Sequence, residues 1–135
     1  MRYIAFIGLL LVLVFQSEAQ YCTPATSTTA ITPTSTVQNT ATFPAGTAPV
    51  FTFTGTAGCT YTFTTCGLSS VDTYLRIYNS SFVLVQGWDD QCGLQTNAVW
   101  TCPANAAYSI QLSQFICNPL FGSATMAYSV SCPTP

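Results

Sequence analysis

The sequence predicts an all-β fold for residues 49–135, an antiparallel β-sandwich stapled by disulfides. Three observations carry that expectation. Apolar and polar residues alternate with period two in seven short stretches. These stretches recur every 8–12 residues or so and are separated by Gly, Pro, Asn, Asp and Ser, the spacing of sandwich strands. Seven cysteines fall in a chain of 135 residues, a density typical of small domains that supplement a modest core with covalent bridges.

The strands follow in order. In VFTFT, Phe51 and Phe53 share a face. In TYTFTT, Tyr61 and Phe63 face one way while Thr60, Thr62 and Thr64 face the other. In TYLRIY, Leu75 and Ile77 alternate with Tyr74, Arg76 and Tyr78. FVLVQGW follows after the turn-forming Asn79-Ser80-Ser81. Ala98-Val99-Trp100-Thr101 is a short strand, YSIQLSQ places Tyr108, Ile110 and Leu112 together, and TMAYSV does the same for Met126, Tyr128 and Val130. No stretch has the periodicity of an amphipathic helix. The aromatic positions suit a core and cross-strand pairs.

Two segments precede the sandwich. Residues 1–19 have a basic start, the apolar run Ile4 to Phe15, and small residues at Ser17 and Ala19, the form of a secretory signal peptide cut after Ala19. That run has 12 residues, short of the roughly 20 that a membrane span requires. Residues 20–48 read as a Thr/Ser/Pro-rich extended arm: residues 23–42 hold nine Thr, two Ser and two Pro. The β-branched threonines also allow this arm to pair as a strand.

After cleavage the chain carries one cation, Arg76, and three anions, Asp72, Asp89 and Asp90, with no Lys, His or Glu. Ordinary domains are about one quarter charged. So neutral a surface resists association poorly, and the near-absence of positive charge excludes nucleic acid as a partner. Threonine-linked sugar on the arm would offset the missing charge. Asn79-Ser80-Ser81 is an N-glycosylation sequon in a turn.

Strand order constrains the disulfides. Cys59 and Cys66 bracket one strand, and seven residues of strand span roughly 23 Å, beyond the reach of a disulfide. If successive strands run up and down, Cys66 and Cys92 meet at one end, and Cys59 and Cys102 at the other. Cys22 then takes either Cys117 or Cys132. Assigning it to Cys132 leaves Cys117 unpaired or bridging to another copy. Without His or a close CxxC there is no structural zinc pattern.

Residues 50–131 resemble the bacterial pre-peptidase C-terminal domain, in the cysteine-bearing form of secreted Bacteroidetes proteins. The matching stretches are CTYTFTTCG, VDTYLRIYNSS, GWDDQCG, VWTCPANAAYSIQLS and ATMAYSVSC. The resemblance implies a jelly-roll-like sandwich, extracellular, with accessory or adhesive rather than catalytic roles.

The stretch QGWDDQCG concentrates the chemistry. Adjacent carboxylates are badly placed for glycoside hydrolysis, which needs two across a cleft, and no His or Lys stands by as a base, so no catalytic residue and no enzyme activity is expected. Asp72, Asp89 and Asp90 fall near one end of the strand order. They can accept backbone N–H bonds in turns or contribute oxygens to a calcium ion, which takes six to eight. No other cofactor is expected. Trp88, beside a turn, is the candidate for stacking on a sugar, whereas Trp100 reads as core.

The expected function is a secreted, non-enzymatic structural or adhesive protein that assembles with copies of itself into a filament or surface layer, its arm adding to a neighbour's open sheet edge. The alternative is a carbohydrate-binding or accessory module. Inhibition of a secreted enzyme has no specific sign in the sequence.

Overall fold

Nine strands form two stacked sheets in the computed structural model, which describes residues 21–135. The expected signal peptide, residues 1–19, lies outside the described residues. The seven expected strands are β3 (Val50–Gly55), β4 (Thr60–Thr64), β5 (Tyr74–Asn79), β6 (Leu84–Asp89), β7 (Asn97–Thr101), β8 (Ala106–Ser113) and β9 (Ala127–Ser131). Two shorter ones, β1 (Thr28–Ala30) and β2 (Gln38–Asn39), lie in the threonine-rich segment. One sheet runs β1-β3-β8-β5-β6 and the other β2-β9-β4-β7. Every pairing is antiparallel except β1 with β3. No helix occurs among the described residues, and none there is long and apolar enough to cross a membrane.

The alternation sets the faces. In β4, Tyr61 and Phe63 point into the sandwich while the threonines face outward. Phe53 sits at the centre of an aromatic cluster, with ring centroids 5.1 Å from Tyr61, 5.2 Å from Phe63, 6.0 Å from Tyr108 and 6.3 Å from Trp100. Leu75, Ile77, Ile110, Leu112, Leu120 and Met126 complete the core. Aromatic contacts of this kind add about 0.5–1.5 kcal/mol each beyond simple burial.

The threonine-rich segment is not a free arm. Tyr21 to Thr23 cross the outer face of the five-stranded sheet: Tyr21 Oη donates to Ser109 Oγ at 3.1 Å, Cys22 N to Tyr78 Oη at 2.9 Å, and Gln111 Nε2 to Thr23 O at 2.7 Å. The chain then forms β1 beside β3, passes to the other sheet where Val130 N donates to Thr34 O at 2.8 Å, and forms β2 beside β9. It is a strap folded on its own sandwich. The cause is local: threonine has strand propensity, and both sheets offer an edge of unpaired backbone groups within reach.

The disulfides correct two of the pairings read from strand order. Cys66 joins Cys92, at the end where β4 and the loop after β6 meet. Cys59, however, joins Cys132 and not Cys102, which is a buried free thiol. The up-and-down reading gave β4 one neighbour, whereas β4 lies between β7 and β9 and so faces a cysteine on each side. Cys22 joins Cys117, not Cys132, because the strap begins on the five-stranded sheet, where Cys117 follows β8. Cys117 is therefore paired. This bridge spans 95 residues of sequence, and a loop of that size is worth up to about 4–5 kcal/mol through the unfolded chain.

The core cluster predicts that Phe53→Ala lowers unfolding free energy by about 3–5 kcal/mol. Urea denaturation followed by tryptophan fluorescence checks this, and a loss below about 1 kcal/mol would contradict the central role of that ring.

Candidate functional site

The β5–β6 hairpin and the loops on either side of it carry every charged side chain of the described residues. Asp72 precedes β5, Asp89 ends β6 opposite Tyr74, and Asp90 follows with a left-handed backbone (φ 54°). That turn brings the adjacent carboxylates round to the same side. One oxygen from each of Asp72, Asp89 and Asp90 lies within 4.8 Å of the others. The backbone N–H bonds expected for these side chains are not what holds them: Asp72 Oδ1 and Asp89 Oδ1 are buried without a hydrogen-bond partner. Burial, and then the charge of Asp90, raises the pKa of Asp72. Burial and the charges of Asp90 and Asp72 do the same for Asp89. Cys66–Cys92 fastens the loop that carries the cluster.

Arg76 does not neutralise these acids. Its side chain is buried on the outer face of the five-stranded sheet. There Nη1 donates to Ser113 Oγ at 2.8 Å and Gln114 O at 3.2 Å, and Nη2 donates to Phe115 O. The guanidinium lies 3.8 Å from the centre of the Tyr74 ring. The tyrosine in turn occupies the space above Gly87: a Cβ there would stand 2.5 Å from Tyr74 Oη. Arg76 thus ties down the loop that leads to Cys117. Burial lowers its pKa, partly countered by Tyr78, Tyr74 and Asp89.

Trp88 corrects the expectation of sugar stacking. Its side chain is buried at 9% exposure within the core cluster. Asp89, its neighbour, points the other way and opens toward the acidic corner. The alternation continues to the strand's last residue, so the tryptophan faces inward despite the nearby turn. Trp100 is core as well. Asn79 ends β5 in the hairpin, and its Oδ1 accepts from Ser81 N at 2.9 Å and Val83 N at 3.0 Å.

Sequence reasoning passed over an exposed run of four consecutive apolar residues. Phe82, Val83, Leu84 and Val85 are 44%, 55%, 52% and 41% exposed. Phe82 and Val83 lie in the turn before β6, and Leu84 and Val85 open that strand, an edge strand with no partner on its outer side among the described residues. The signal was present: four consecutive apolar residues break the alternation, so neither face of this strand end is reserved for the core. A cleft of about 360 Å³ lies beside it, lined by Tyr21, Asn79, Phe82, Tyr108 and Ser109 among others.

No protein-family model and no curated protein sequence matches the chain. Solved structures share its fold. The pre-peptidase C-terminal domain of a Bacillus anthracis collagenase superposes with TM-score 0.55 at 14% identity, covering 80% of this chain and 97% of that one. The Aeromonas hydrophila PliG protein, a periplasmic inhibitor of g-type lysozyme, gives 0.56 at 19% identity over 78% of this chain and 96% of that one. A mutant of the Escherichia coli PliG inhibitor gives 0.51 at 9% identity over 78% and 98%. The resemblance read from residues 50–131 therefore holds at the level of fold.

The acidic corner yields a signed pH dependence. The folded pKa values of Asp72 and Asp89 lie above the ordinary 3.8, so the folded chain holds these protons more tightly than the unfolded one. Their contribution is most favourable below 3.8 and is lost as pH rises through the folded values. With EDTA present, Asp89→Asn is expected to raise the urea midpoint at about pH 7, where the repulsion is complete, and to leave it nearly unchanged at about pH 3, where both forms are uncharged. An equal shift at both pH values would show that repulsion is not the cause.

Proposed function

We propose that this chain is a secreted, non-catalytic module that binds protein through the open edge of β6, and that the partner is a further copy of itself, in an extracellular filament or surface layer. The observation that carries the reading is the exposed start of β6 at Leu84 and Val85, extended by exposed Phe82 and Val83 in the turn before it. An edge strand that begins with two successive exposed apolar residues, one on each face, offers a ladder of backbone groups and a dry surface together, the two components of strand addition. Residues 80–88 carry no charge, so two copies meet there without repulsion. The strap supplies the other half: β1 forms the opposite edge of the same sheet, with Thr28, Thr29 and Ala30 exposed. Pairing β6 of one copy with β1 of the next joins unlike edges. Such an interface does not close on itself and extends into a line. The strap then acts as the receiving edge, not as a donated strand.

Three disulfides are in keeping with an oxidising, secreted location. The absence of His, Lys and Glu from residues 20–135 is in keeping with a non-catalytic role. Two of the proteins that share the fold are inhibitors of an enzyme, which accords with a sandwich of this kind meeting protein. An N-linked sugar on Asn79 would stand at the rim of the β6 surface, so deglycosylated material belongs in the assay.

Light scattering after size exclusion, with electron microscopy of the secreted protein, tests the reading. Wild type is expected as multimers or filaments. Leu84→Lys, an edge charge of the kind that blocks pairing, is expected as a monomer with unchanged circular dichroism. A monomeric wild type, or assembly that survives the lysine, would defeat it.

The two buried, unpartnered oxygens of Asp72 and Asp89 favour a second proposal, a calcium ion held by Asp72, Asp89 and Asp90 with water completing the shell. Calcium is then expected to raise the wild-type melting temperature in the millimolar range, with no shift in Asp89→Asn. Equal shifts in both proteins would exclude this site.

A further inference from the structure

Three of the seven cysteines form one row across the four-stranded sheet. The register pairs Thr60 of β4 with Ser131 of β9 on one side and Thr101 of β7 on the other. One residue further along each strand stand Cys132, Cys59 and Cys102. Cys59 and Cys132 are bonded, and Cys102 is free. A glycine bulge holds Cys102 opposite Cys59. Gly58, at φ +82°, donates its N–H to Cys102 O at 2.9 Å, and Cys102 N donates to Cys59 O at 2.9 Å.

The faces agree with that pairing. The Thr60 and Thr101 hydroxyls meet on the outer surface at 3.2 Å, so the next residues, Cys59 and Cys102, turn inward together. Both are buried, at 2% and 1% exposure, whereas Cys132 is exposed near the chain's last residues. Directly opposed side chains in such a ladder have Cβ atoms about 4.5–5.5 Å apart, close to the separation a disulfide spans.

We propose that this row is an intramolecular thiol–disulfide exchange site that moves a reactive thiol from the core to the surface. The Cys102 thiol gives its proton to solvent base. The resulting thiolate attacks Cys59 Sγ, the Cys59–Cys132 bond breaks, and a Cys59–Cys102 bond forms. Cys132 leaves as a thiolate and takes a proton from water. No electron is gained or lost overall, so no oxidant or reductant is consumed.

The central place of Cys59 in the row suits the reaction, because Cys102 then approaches from the side opposite the leaving Cys132. The leaving group suits it as well, since an exposed thiolate is solvated. In the starting form the Cys102 thiol is occupied, donating to Ala104 O at 3.1 Å, a carbonyl that also accepts from Tyr108 Oη at 3.1 Å. Exchange therefore needs the thiol to turn from that carbonyl and lose its proton to solvent base, because the thiolate is the attacking species. The product presents Cys132 to external thiols and disulfides, including a cysteine of another molecule. This inference goes beyond the β6 reading and holds whether or not the chain assembles.

Disulfide mapping by mass spectrometry tests it on the full secreted chain. Wild type held overnight at about pH 8.5 with a bulky maleimide, then quenched in acid, is expected to carry the label on Cys132 together with a new Cys59–Cys102 peptide. Cys102→Ser is expected to carry none. Cys132→Ser is expected to be secreted with Cys59 bonded to Cys102. Label confined to Cys102 with Cys59–Cys132 intact, no label at all, or two free thiols in Cys132→Ser would each overturn the proposal.

Discussion

Burial of β8 on both faces is the constraint on which the rest of the structure depends. Every residue from Tyr108 to Ser113 is buried, although the strand alternates apolar and polar side chains as an exposed sheet would. The inner set, Tyr108, Ile110 and Leu112, packs against the other sheet. The outer set, Ser109, Gln111 and Ser113, must find hydrogen bonds without water, because a buried polar group left unmade costs about 1–3 kcal/mol. The strap supplies two of them, to Ser109 Oγ and from Gln111 Nε2, and Arg76 supplies a third, to Ser113, while Gln111 Oε1 stays without a partner. The Cys22–Cys117 bridge then locks the strap's beginning to the loop that Arg76 holds. Covering one face of one strand thus accounts for the strap's course, the burial of Arg76, the one cation among the described residues, and the placement of a disulfide.

That covering also makes the two sides of the sandwich unlike. On the strap side, β1 and β2 lie along the sheets' edges and present mostly threonine, glutamine and asparagine. On the other side, β6 and β7 are the outermost strands, and Val99 joins the Phe82–Val85 run in exposing apolar surface. Sandwiches usually blunt such edges with lysine, proline or a bulge. Here a register irregularity occurs at Ile77 and Tyr78 near the start of β6, but no charge accompanies it. A chain with so few ionic groups has little other means of keeping an apolar edge apart from its own kind.

The sandwich was legible because period two survives wherever one face is dry. β3, β4, β8 and β9 fall on stretches where apolar residues alternate with Thr, Ser or Gln, and β5 where Leu75 and Ile77 alternate with Tyr74, Arg76 and Tyr78. What was illegible had non-local causes. Nothing around Tyr21 and Thr23 reports that Ser109 and Gln111, each 88 residues further along the chain, need hydrogen-bond partners. Trp88 stands beside a turn, which suggests exposure, but its parity along β6 turns it into the core. The pairing of Cys59 failed at topology: strand order in the chain places Cys102 beside it, which the fold retains, but only the return of β9 to the other side of β4 brings in Cys132. The β6 edge was readable as a broken alternation, and the clustering of the three aspartates was partly readable from strand order.

The acidic corner shows how a nearly uncharged chain holds an unfavourable element in place. Beneath it, Thr65, Thr73 and Thr96 form a buried hydroxyl network. Thr65 Oγ1 and Thr73 Oγ1 are 2.6 Å apart, Thr96 N donates to Thr65 Oγ1 at 3.0 Å, and Thr96 Oγ1 donates to Thr73 O. Backbone bonds from Thr65 N to Thr96 O and from Thr73 N to Leu94 O join the same three segments. Each such bond contributes on the order of 1 kcal/mol net, and Cys66–Cys92 closes the group covalently. Neutral hydroxyls and a disulfide thus do what ion pairs do elsewhere. They fix the loop firmly enough that three carboxylates remain together without a cation from the protein itself, since Arg76 is committed to Ser113, Gln114 and Phe115. The repulsion is therefore held in the folded state and not relieved by loop movement. A proton discharges it, which is why burial and the neighbouring charges raise the pKa values of Asp72 and Asp89.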